Sequence, residues 1–458
     1  MKKSLFLLTA LIMLGISEQM IAQKSLSDLI IRPVITKIQV PWEMRWGPDG
    51  WLWTSGIEGR ILRINPDNGE TETMFETKVT RNAESGMHGF DIVTNDIGET
   101  RIYVSYTYTE SSTIYLRIIR LDYNQMTRTL ENPSTIIEKI GAGTTHSGCR
   151  VKYMPDNTLM ITAGDGRIQP QPSQNISSWS GKTLRINLDG TFPIDNPHPN
   201  SPVWSWGHRN HQGLCIGKNG TIYSSEHGET TEDEVNILTK GANYGWPRVE
   251  GYCNLATEKK FCQDSNVREP IAGFSPTLGL AGMEYNEGTK FPDWNNALLL
   301  LSLKGNSLHV LHLNDKGDSV INRTNINMGL GRLRSVCISP QGRVFIGRSQ
   351  GDHYGTNNQN ENGVYELISK LSDTNEENKQ TNDVINISHS NSLLTIQSTT
   401  SENWSAILYD ITGTVVFQTN QVSNYTISMK DFPLGVYFIA VKQKNQIYTQ
   451  QILNSTLQ

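Results

Sequence analysis

The sequence has no dominant charge of either sign. Its 458 residues carry 40 Lys and Arg against 45 Asp and Glu, for a formal net charge of −5, without a basic stripe or an acidic block. This balance excludes nucleic acid as an expected partner, because nucleic-acid binding needs a positively charged face. Long amphipathic helical patterns are also missing. Gly, Trp and Tyr are plentiful instead, which favours an all-β protein rich in turns.

Long apolar runs are scarce as well. The run SLFLLTALIMLGI follows Lys2 and Lys3 and comes before a small residue, Ala22. This pattern is typical of a secretory signal peptide, which we predict over residues 1–22, with a buried N-terminal helix as the alternative. No later segment reaches the roughly 20 apolar residues that a membrane span needs. We therefore expect an exported protein without a transmembrane segment.

Cysteine is sparse, and five cysteines leave at least one unpaired in an exported chain. Cys253 and Cys262 flank a polar stretch, CNLATEKKFC, and could close it as a local disulfide. Cys149, Cys215 and Cys337 lie in or beside apolar strand-like runs. We expect these three to be small buried hydrophobic residues rather than reactive thiols. No Cys–His spacing resembles a zinc site.

The sequence does contain a repeated turn. A Gly or Asn turn followed by a β-rich run and small residues occurs in WGPDGWLWTSG, YMPDNTLMITAGDG, IGKNGTIYSSEHG and ISPQGRVFIGRSQG. Each predicts a hairpin, and an outer strand such as RILRIN or GVYELI often follows. The turns recur at about one or two multiples of 55–60 residues, which predicts a six-bladed β-propeller of four-stranded antiparallel blades over residues 23–368. An ordinary β-sandwich is the alternative, but it explains so long a repeat less well.

The character of the chain changes from Ser369 onward. Residues 369–384 are polar and charged, which indicates a linker. Short alternating runs over residues 385–458 predict a small C-terminal β-sandwich. The order LYDITGTVV and ISMKDFPLGVYFIAV resembles the C-terminal sorting domain of the Bacteroidetes type IX secretion pathway. The resemblance implies transient periplasmic passage, the type IX machinery as a partner, and a secreted or cell-surface product; an adhesive or carbohydrate-binding module is the alternative.

Polar residues at predicted strand ends form a candidate site. THSGCR places His146 and Arg150 before one strand, and ITAGDGR places Asp165 after its hairpin partner. If such ends converge, Asp165 would hold the His146 imidazole in one orientation, as a general base requires. Converging cations would make the cleft attract a small polyanion. Cations and an amide occur at three further strand ends: Arg209 and Asn210 in GHRNHQG, Lys304 in SLKGN, and Arg332 and Arg334 in GRLRSV.

Acids follow at another strand end, in SSEHGETTEDEVNIL. Glu232, Asp233 and Glu234 lead directly into the apolar strand VNIL. Together with backbone carbonyls around Gly228 they could bind calcium, which prefers carboxylate and carbonyl oxygens in irregular loops. A solvated acidic loop is the alternative.

The separated motifs together resemble the soluble glucose/sorbosone dehydrogenases. The main signature is GHRNHQGLCIGKNGTIYSSEHGETTEDEVNILTKGANYGWPRVEGY, and HSGCRV, GKTLRINLDGTFPIDNP, LLLLSLKGN and GRLRSV occur in the family's order. The resemblance spans residues 38–368. It implies a six-bladed propeller that oxidises an aldose or related sugar, with pyrroloquinoline quinone and Ca²⁺ as cofactors and an external electron acceptor as a partner.

The resemblance also implies a role for individual residues. His146 matches the base that takes the substrate's hydroxyl proton while hydride passes to the quinone, and Asp165 matches the carboxylate that orients it. Glu84, in ESGMHGF, is expected near the substrate. The residues expected to bind the cofactor are Arg209, Asn210, Lys304, Arg332 and Arg334. Those expected to bind or support the metal are Gly228 and Glu229, through backbone carbonyls, and Asp233, Glu234 and Tyr244.

Four residues depart from the family's usual pattern. His211 stands where the family has proline, His227 and Glu229 lie in the run EHGE, and Cys149 replaces a small residue. These departures bear on the choice of sugar more than on cofactor binding. Two other classes of function remain open: a calcium-dependent propeller hydrolase such as a sugar lactonase, which would leave the cationic cluster without a role, and a non-catalytic glycan-binding surface protein.

Overall fold

A computed structural model describes the chain in segments: residues 29–169, 171–288, 290–350, 362–369, 385–390, 392–410, 415–421, 423–433, 435–444 and 446–454. The predicted signal peptide and all but the first residue of the predicted linker lie outside the described residues. Contacts divide the chain into two units, residues 1–372 and 373–458. The described residues are mostly strand, which confirms the all-β class.

Within each sheet of the first unit, strands that follow one another in sequence pair antiparallel, for example β2 with β3, β3 with β4 and β4 with β5. They are β1 (Leu29–Ile35), β2 (Pro41–Trp46), β3 (Leu52–Gly56), β4 (Arg60–Ile64), β5 (Thr71–Glu76), β6 (Met87–Thr94), β7 (Thr100–Glu110), β8 (Thr113–Asn124), β9 (Thr129–Gly141), β10 (Gly148–Tyr153), β11 (Thr158–Ala163), β12 (Lys182–Asn187), β13 (Val203–Trp206), β14 (His211–Ile216), β15 (Ile222–Glu226), β16 (Asp233–Ile237), β17 (Ala272–Phe274), β18 (Leu280–Asn286), β19 (Ala297–Ser302), β20 (Ser307–Leu313), β21 (Val320–Asn327), β22 (Leu333–Ile338), β23 (Val344–Arg348) and β24 (Gly363–Ser369).

One α-helix, α1 (Ala256–Ser265), occurs within the described segments, in the connection between β16 and β17. A disulfide joins Cys253 to Cys262 across the start of this helix, with a Cα–Cα distance of 6.3 Å. The local pairing that the sequence allowed is therefore present. The remaining three cysteines are unpaired and buried, as expected.

Six four-stranded sheets make up the described part of the first unit. They are β2–β5, β6–β9, β10–β13, β14–β17, β18–β21, and β22–β24 together with β1. The first strand of each sheet contacts the first strand of the next, from β2 to β6 and onward to β22, and β22 contacts β2 again. The six sheets therefore follow one another in a closed ring.

The repeated turns connect the first and second strands of four of these sheets. Gly50, Asn157, Gly220 and Gly342 occupy the turns, and their φ angles are 76°, 62°, 76° and 78°. This left-handed conformation is open to glycine and tolerated by asparagine, which explains why those two residue types recur there. The hairpins predicted from the sequence are confirmed, and runs such as RILRIN form the third strands.

Neighbouring sheets are held together by buried side chains. Because each sheet of the ring lies between two others, both faces of a central strand can be buried, and every residue of β19, ALLLLS, is buried. Each neighbouring pair of sheets shares one apolar cluster. Examples across the six interfaces are Ile61 with Phe90, Ile118 with Val151, Met160 with Leu214, Tyr223 with Leu298, Leu299 with Val344, and Phe345 with Met44.

The N-terminal strand closes the ring. β1 pairs antiparallel with β24, so Leu29 lies opposite Ser369 and Arg32 opposite Glu366. The Nε atom of Arg32 donates to Glu366 at 2.9 Å, and Arg343 donates to the same carboxylate at 2.6 Å. Backbone pairing and these ion pairs hold β1 in the last sheet, from which the chain continues into β2 of the first sheet.

A buried arginine links four of the six sheets. Arg150 on β10 is 2% exposed. It donates to the backbone oxygens of Gln212 at 2.7 Å and Trp42 at 3.2 Å, and to that of Arg334 at 3.4 Å. Its guanidinium also pairs with the Glu43 carboxylate at 2.6 Å. Burial lowers the pKa of Arg150, and the charge of Glu43 acts in the opposite direction.

The second unit contains two sheets. Its strands are β25 (Ile385–Ser390), β26 (Leu393–Ser398), β27 (Trp404–Asp410), β28 (Val415–Gln421), β29 (Tyr425–Ser428), β30 (Gly435–Gln443) and β31 (Gln446–Asn454). One sheet has the order β25-β26-β29 and the other β28-β27-β30-β31. Side chains of both sheets, such as Leu394, Ile427, Trp404 and Ile439, form one apolar cluster.

In the segments that the structure describes, no helix is both long and apolar enough to cross a membrane.

Removing the Arg150 guanidinium tests its role at the centre of the ring. We expect Arg150→Met to lower the free energy of unfolding by about 3 kcal/mol, because the buried Glu43 carboxylate loses the nearer of its two cationic partners and keeps only Arg45, at 3.2 Å. Urea unfolding followed by tryptophan fluorescence measures this change. Lys139→Met is the control, because Lys139 pairs with Glu110 at the exposed surface and its loss leaves the midpoint nearly unchanged. Equal midpoints for the two variants would contradict the role of Arg150.

Candidate functional site

A cavity of about 390 Å³ lies where the first strands of the ring begin. All six sheets or their connecting loops contribute to its wall, so residues far apart in sequence meet there. The lining residues are Trp42, Ile57, Glu84, His146, Ser147, Gly148, Arg167, Arg209, Gln212, His227, Gly228, Glu229, Asp233, Thr277, Gly279, Leu303, Lys304, Arg332 and Arg334.

Irregular strand starts turn side chains toward this cavity. All six first strands shift register within their first three or four residues, between Pro41 and Glu43 in β2 and between His211 and Gly213 in β14, for example. A bulge leaves one residue unpaired and changes the direction of its side chain. Trp42, Gln212 and Arg334 occupy such positions, and all three line the cavity.

His146 and Asp165 form a hydrogen-bonded pair in this wall, as the sequence predicted that they would meet. The Nδ1 atom of His146 lies 2.9 Å from an Asp165 oxygen, and both residues are buried. His146 has a φ of 57°, a strained conformation for a residue with a side chain. Gly164 permits this approach, because a Cβ there would lie 2.1 Å from the His146 carbonyl oxygen.

Asp165 is held in place from several sides. Its two oxygens also accept hydrogen bonds from the Arg167 backbone N–H, the Gln171 amide and the Trp246 indole, at 2.9, 3.0 and 3.0 Å. Burial by itself raises the pKa of Asp165, but the hydrogen bond and charge of His146 and the other donors outweigh it, so that the pKa is lowered. Asp165 is therefore an ionised carboxylate that accepts a hydrogen bond from the Nδ1–H group of His146.

Arg167 defines the tautomer of His146. Its Nε atom donates to His146 Nε2 at 3.2 Å. Because a guanidinium can only donate, Nε2 is the acceptor nitrogen and the ring proton is on Nδ1, where it is donated to Asp165. Nε2, which contacts Arg167 of the cavity wall, is thus the ring nitrogen without a proton. The sequence pattern did not identify Arg167 as a site residue, although Arg167 lies two residues after Asp165, in ITAGDGR.

The predicted cations converge. Arg209, Lys304, Arg332 and Arg334 all line the cavity, together with Arg167. The side chain of Arg334 is buried and donates to Ser349 at 3.1 Å and to Gln212 at 3.2 Å, whereas Lys304 is exposed. Arg150, the remaining cation of the predicted cluster, is not among the lining residues. It bonds instead to groups on three other sheets of the ring.

Arg209 reaches the surface of the cavity, whereas the side chain of Asn210 lies behind it. Arg209 lies in the wall, where its guanidinium donates to the His227 carbonyl at 3.1 Å and its Nε atom has no partner among the described residues. Burial lowers the pKa of Arg209, against the opposing charge of Asp165. Asn210 lies behind the wall, where its side-chain oxygen accepts from the Gly148 N–H at 3.2 Å. Its buried Nδ2 atom also lacks a partner within the described segments.

Three of the predicted metal residues reach the cavity: Gly228, Glu229 and Asp233. The Asp233 carboxylate accepts the backbone N–H groups of Gly228 at 2.9 Å and of Leu278 and Gly279 at 2.7 and 2.6 Å. Asp233 therefore acts mainly as a clamp between β16 and the loop before β18. The side chain of Glu229 has no comparable set of hydrogen bonds to the residues that the structure describes.

A carboxylate that the sequence did not single out holds this loop. Glu250 accepts the backbone N–H groups of residues 229–232. Burial by itself raises the pKa of Glu250, but these four donors lower it overall. Nothing in the local sequence identifies Glu250, because its partners come about 20 residues earlier.

The structure does not bring Glu234 and Tyr244 to the cavity wall. The two Glu234 oxygens accept from the Gly251 N–H at 2.7 Å and the Asn236 amide at 2.9 Å. The Tyr244 hydroxyl donates to Ile237 and accepts from the Thr239 N–H at 2.9 Å. Both groups are used in local bonds.

Glu84 and His227 complete the wall. One Glu84 oxygen accepts the His146 backbone N–H at 3.1 Å, which places Glu84 beside the predicted base. His227 is half-buried, and its shielded Nε2 atom has no hydrogen-bond partner in the described part of the chain. Desolvation lowers the pKa of His227. His208 lies outside the lining residues, in line with the structural role expected for it.

This geometry defines a class of protein: a ring of antiparallel sheets with a His–Asp pair and several cations around one cavity. Residues 38–354 match the model of the Glucose / Sorbosone dehydrogenase family. The chain belongs to this family, whose members are oxidoreductases. Residues 381–454 match the model of the secretion system C-terminal sorting domain, which supports export by type IX secretion.

Individual relatives agree with this assignment. An uncharacterized protein of Synechocystis is 28% identical over 71% of this chain and 85% of its own length. Quinoprotein glucose dehydrogenase B of Acinetobacter calcoaceticus is 34% identical over 48% of this chain and 52% of that protein. The PQQ-bound form of aldose sugar dehydrogenase from Streptomyces coelicolor is 27% identical, with a TM-score of 0.65 over 74% of this chain and 98% of that chain.

The donors in the cavity fit an anionic quinone. Pyrroloquinoline quinone carries carboxylates, and guanidinium groups suit such planar acids. Arg209 Nε and His227 Nε2 are buried polar atoms that have no partner in the described part of the chain, so both can receive a ligand. Calcium prefers oxygen ligands, and the oxygens of Glu84, Glu229 and the Gly228 backbone are of that kind.

The burial of Glu234 predicts a pH dependence of stability. Burial and the charge of Glu226 raise the pKa of Glu234 from its ordinary value of 4.5 to about 8. The folded state therefore keeps a proton that the unfolded chain releases, so the contribution of Glu234 to stability falls as pH rises from about 4.5 to about 8. We expect the stability of Glu234→Gln relative to wild type to increase across this window.

Urea unfolding in the presence of EDTA at several pH values measures this difference. Glu110→Gln, at an exposed position, should follow the wild-type profile. A constant difference between Glu234→Gln and wild type from pH 5 to pH 8 would be inconsistent with a protonated Glu234.

Proposed function

We propose that this protein is a secreted quinoprotein dehydrogenase that oxidises an aldose or related sugar. The observation that supports it is the convergence of His146, Asp165 and a wall of cations on one cavity. The six sheets of the ring are then the blades of a six-bladed β-propeller over residues 23–368. The glycan-binding alternative provides no role for a buried His–Asp pair.

Pyrroloquinoline quinone would be held by the cationic wall. Arg209, Lys304, Arg332 and Arg334 offer charged donors to its carboxylates and quinone oxygens, and charge-assisted bonds of this type are the strong ones. Asn210 supports the wall from behind through Gly148. Calcium would be bound near Gly228 and Glu229, on the loop that Glu250 holds.

When bound, the quinone supplies the two-electron acceptor. The chain supplies the base. His146 Nε2 faces the cavity and takes the proton of the substrate hydroxyl, while Asp165 accepts the Nδ1 hydrogen bond and stabilises the imidazolium that forms. Arg167 covers Nε2 in the structure described. Because Arg167 is exposed, a substrate hydroxyl can take its place.

Two further features assist proton removal. The cations of the wall stabilise negative charge that develops on oxygen, an effect that is strong where water is excluded. Glu84 holds the backbone N–H of His146. It thus maintains the strained φ of the base and lies where a sugar would enter.

Export is part of the proposal. We assign residues 1–22 as a signal peptide, residues 369–384 as a linker, and residues 385–458 as a β-sandwich read by the type IX machinery after periplasmic passage. The two sheets of the second unit share one apolar cluster, which supports the sandwich. The fused sorting unit places sugar oxidation outside the cell, with an external electron acceptor.

Replacing the base should separate chemistry from binding. We expect His146→Ala to lower kcat by about 10²–10⁴-fold, the usual contribution of a positioned base. Dye reduction by a panel of sugars, with the quinone and calcium added, measures kcat, and quinone binding is measured separately by absorbance.

His198→Ala, outside the cavity, is the control. Unchanged turnover in His146→Ala refutes this base, and quinone-independent ester cleavage by the wild type would favour the lactonase.

Removing two cations tests the cofactor site. We expect Lys304→Ala with Arg332→Ala to weaken quinone binding by at least about tenfold, because each charge-assisted bond contributes about 1.5–3 kcal/mol. Equilibrium dialysis with the quinone gives the Kd of each protein. Arg60→Ala, which removes an exposed ion pair with Glu76, should bind like wild type. Full retention of affinity in the double variant would count against the cationic wall.

A further inference from the structure

A second cluster of metal-ligating side chains lies outside the cavity wall. His208 precedes β14, His211 begins it, and Glu226 ends β15. One ligand atom from each lies within 4.8 Å of the other two, and this is the one group of three such residues in the described segments. Their exposed fractions are 0%, 0% and 3%. Such complete burial makes a role as solvated surface charges impossible.

The spacing suits a small tetrahedral ion. His208 Nδ1 lies 3.1 Å and His211 Nε2 3.7 Å from the same Glu226 oxygen, Oε2. Ligands bound at about 2.0–2.1 Å in a tetrahedron are about 3.3 Å apart, and these are the bond lengths of zinc to imidazole. The two observed distances lie on either side of this value. The His208–Glu226 contact is also at hydrogen-bond distance, and the ligand atoms of the two imidazoles lie no more than 4.8 Å apart.

His211 has no other use for its ring nitrogens. Both Nδ1 and Nε2 are buried without a hydrogen-bond partner among the described residues. A buried polar group left in this state is costly, and such groups in native proteins point to an unseen ligand or water. The 3.7 Å separation from Glu226 is too long for a hydrogen bond, so the carboxylate by itself does not satisfy the ring.

The surrounding groups orient the cluster. The second Glu226 oxygen, Oε1, accepts the backbone N–H groups of Arg209 and of Asn210, the latter at 3.1 Å. His208 Nε2 is bonded to the Ser205 hydroxyl at 2.8 Å. Metal-binding histidines and carboxylates are held by outer bonds of this kind, which direct their remaining atoms at the ion.

We propose that His208, His211 and Glu226 bind one divalent transition-metal ion of the zinc class. Two imidazoles and one carboxylate select such an ion over calcium, which prefers oxygen. Glu226 also borders a small cavity of about 10 Å³, which neither His208 nor His211 lines. The site is structural: it ties β14 to β15 directly beneath Arg209 and Asn210. It does not depend on the proposed dehydrogenase activity.

Metal content tests the site, and because the cluster is buried the ion must enter during folding. The full chain is produced in zinc-supplemented medium, purified, and dialysed against EDTA and then calcium to strip exposed sites. Elemental analysis should give about one zinc per chain in wild type and at least about tenfold less in His211→Gln. His309→Gln is the matched control, because His309 is also buried but is bonded to Ser302. It should keep one zinc.

Other results would overturn the proposal. The site is excluded if the wild type contains no zinc, or if wild type and His211→Gln contain equal zinc. It is also excluded if His227→Gln loses the zinc while His211→Gln keeps it, which would place the ion in the cavity. If His211→Gln does not fold, X-ray absorption of the zinc-loaded wild type decides. Two imidazole nitrogens with oxygen ligands support the proposal, and a shell of oxygens only overturns it.

Discussion

The pair between Arg150 and Glu43 is the interaction on which the candidate site depends most. The guanidinium reaches backbone oxygens on three other sheets, and the carboxylate neutralises it in a place without access to water. A charge buried this deeply is tolerated only when it is paired and fully hydrogen-bonded. Its partners Trp42, Gln212 and Arg334 all belong to the cavity wall. The same bonds that hold the ring together therefore shape the bottom of the site.

Carboxylates act in this protein mainly as clamps for backbone N–H groups. Asp233, Glu226 and Glu250 each accept two or more of them, and each joins segments that are distant in sequence. A carboxylate that receives several donors is stabilised in its charged form and is held in one orientation. The acids thus fix the loops of the site while the cations remain directed at the cavity. This division explains how a site with both signs of charge keeps a positive wall.

The local features of the fold were predictable, and so was the set of cations. Turns at Gly50 and Asn157 depend on φ angles that few residues adopt, and two-sided burial makes strands such as ALLLLS uniformly apolar; both signals are local. The roles of Arg150, Arg167 and Glu250 were not predictable. Each role depends on partners from other sheets or loops. The hydrophobic pattern of a sequence does not indicate which distant oxygen a guanidinium will contact. Glu234 was assigned to a metal from its neighbours in sequence, but strand alternation directs it away from the cavity.

The sequence by itself determined the strands, the turns, the local disulfide and the residue types of the site, because these follow from backbone preferences and short-range spacing. The tertiary structure decided which polar groups meet. Closure of the six sheets brought His146 to Asp165 and gathered four predicted cations at one cavity. It placed Arg150 between the sheets, outside the cavity lining. It also placed His211 and His208 against Glu226, where the three residues form a candidate metal site. The physical reason is that burial and distance, which set the strength of every charged contact, exist only once the ring has closed.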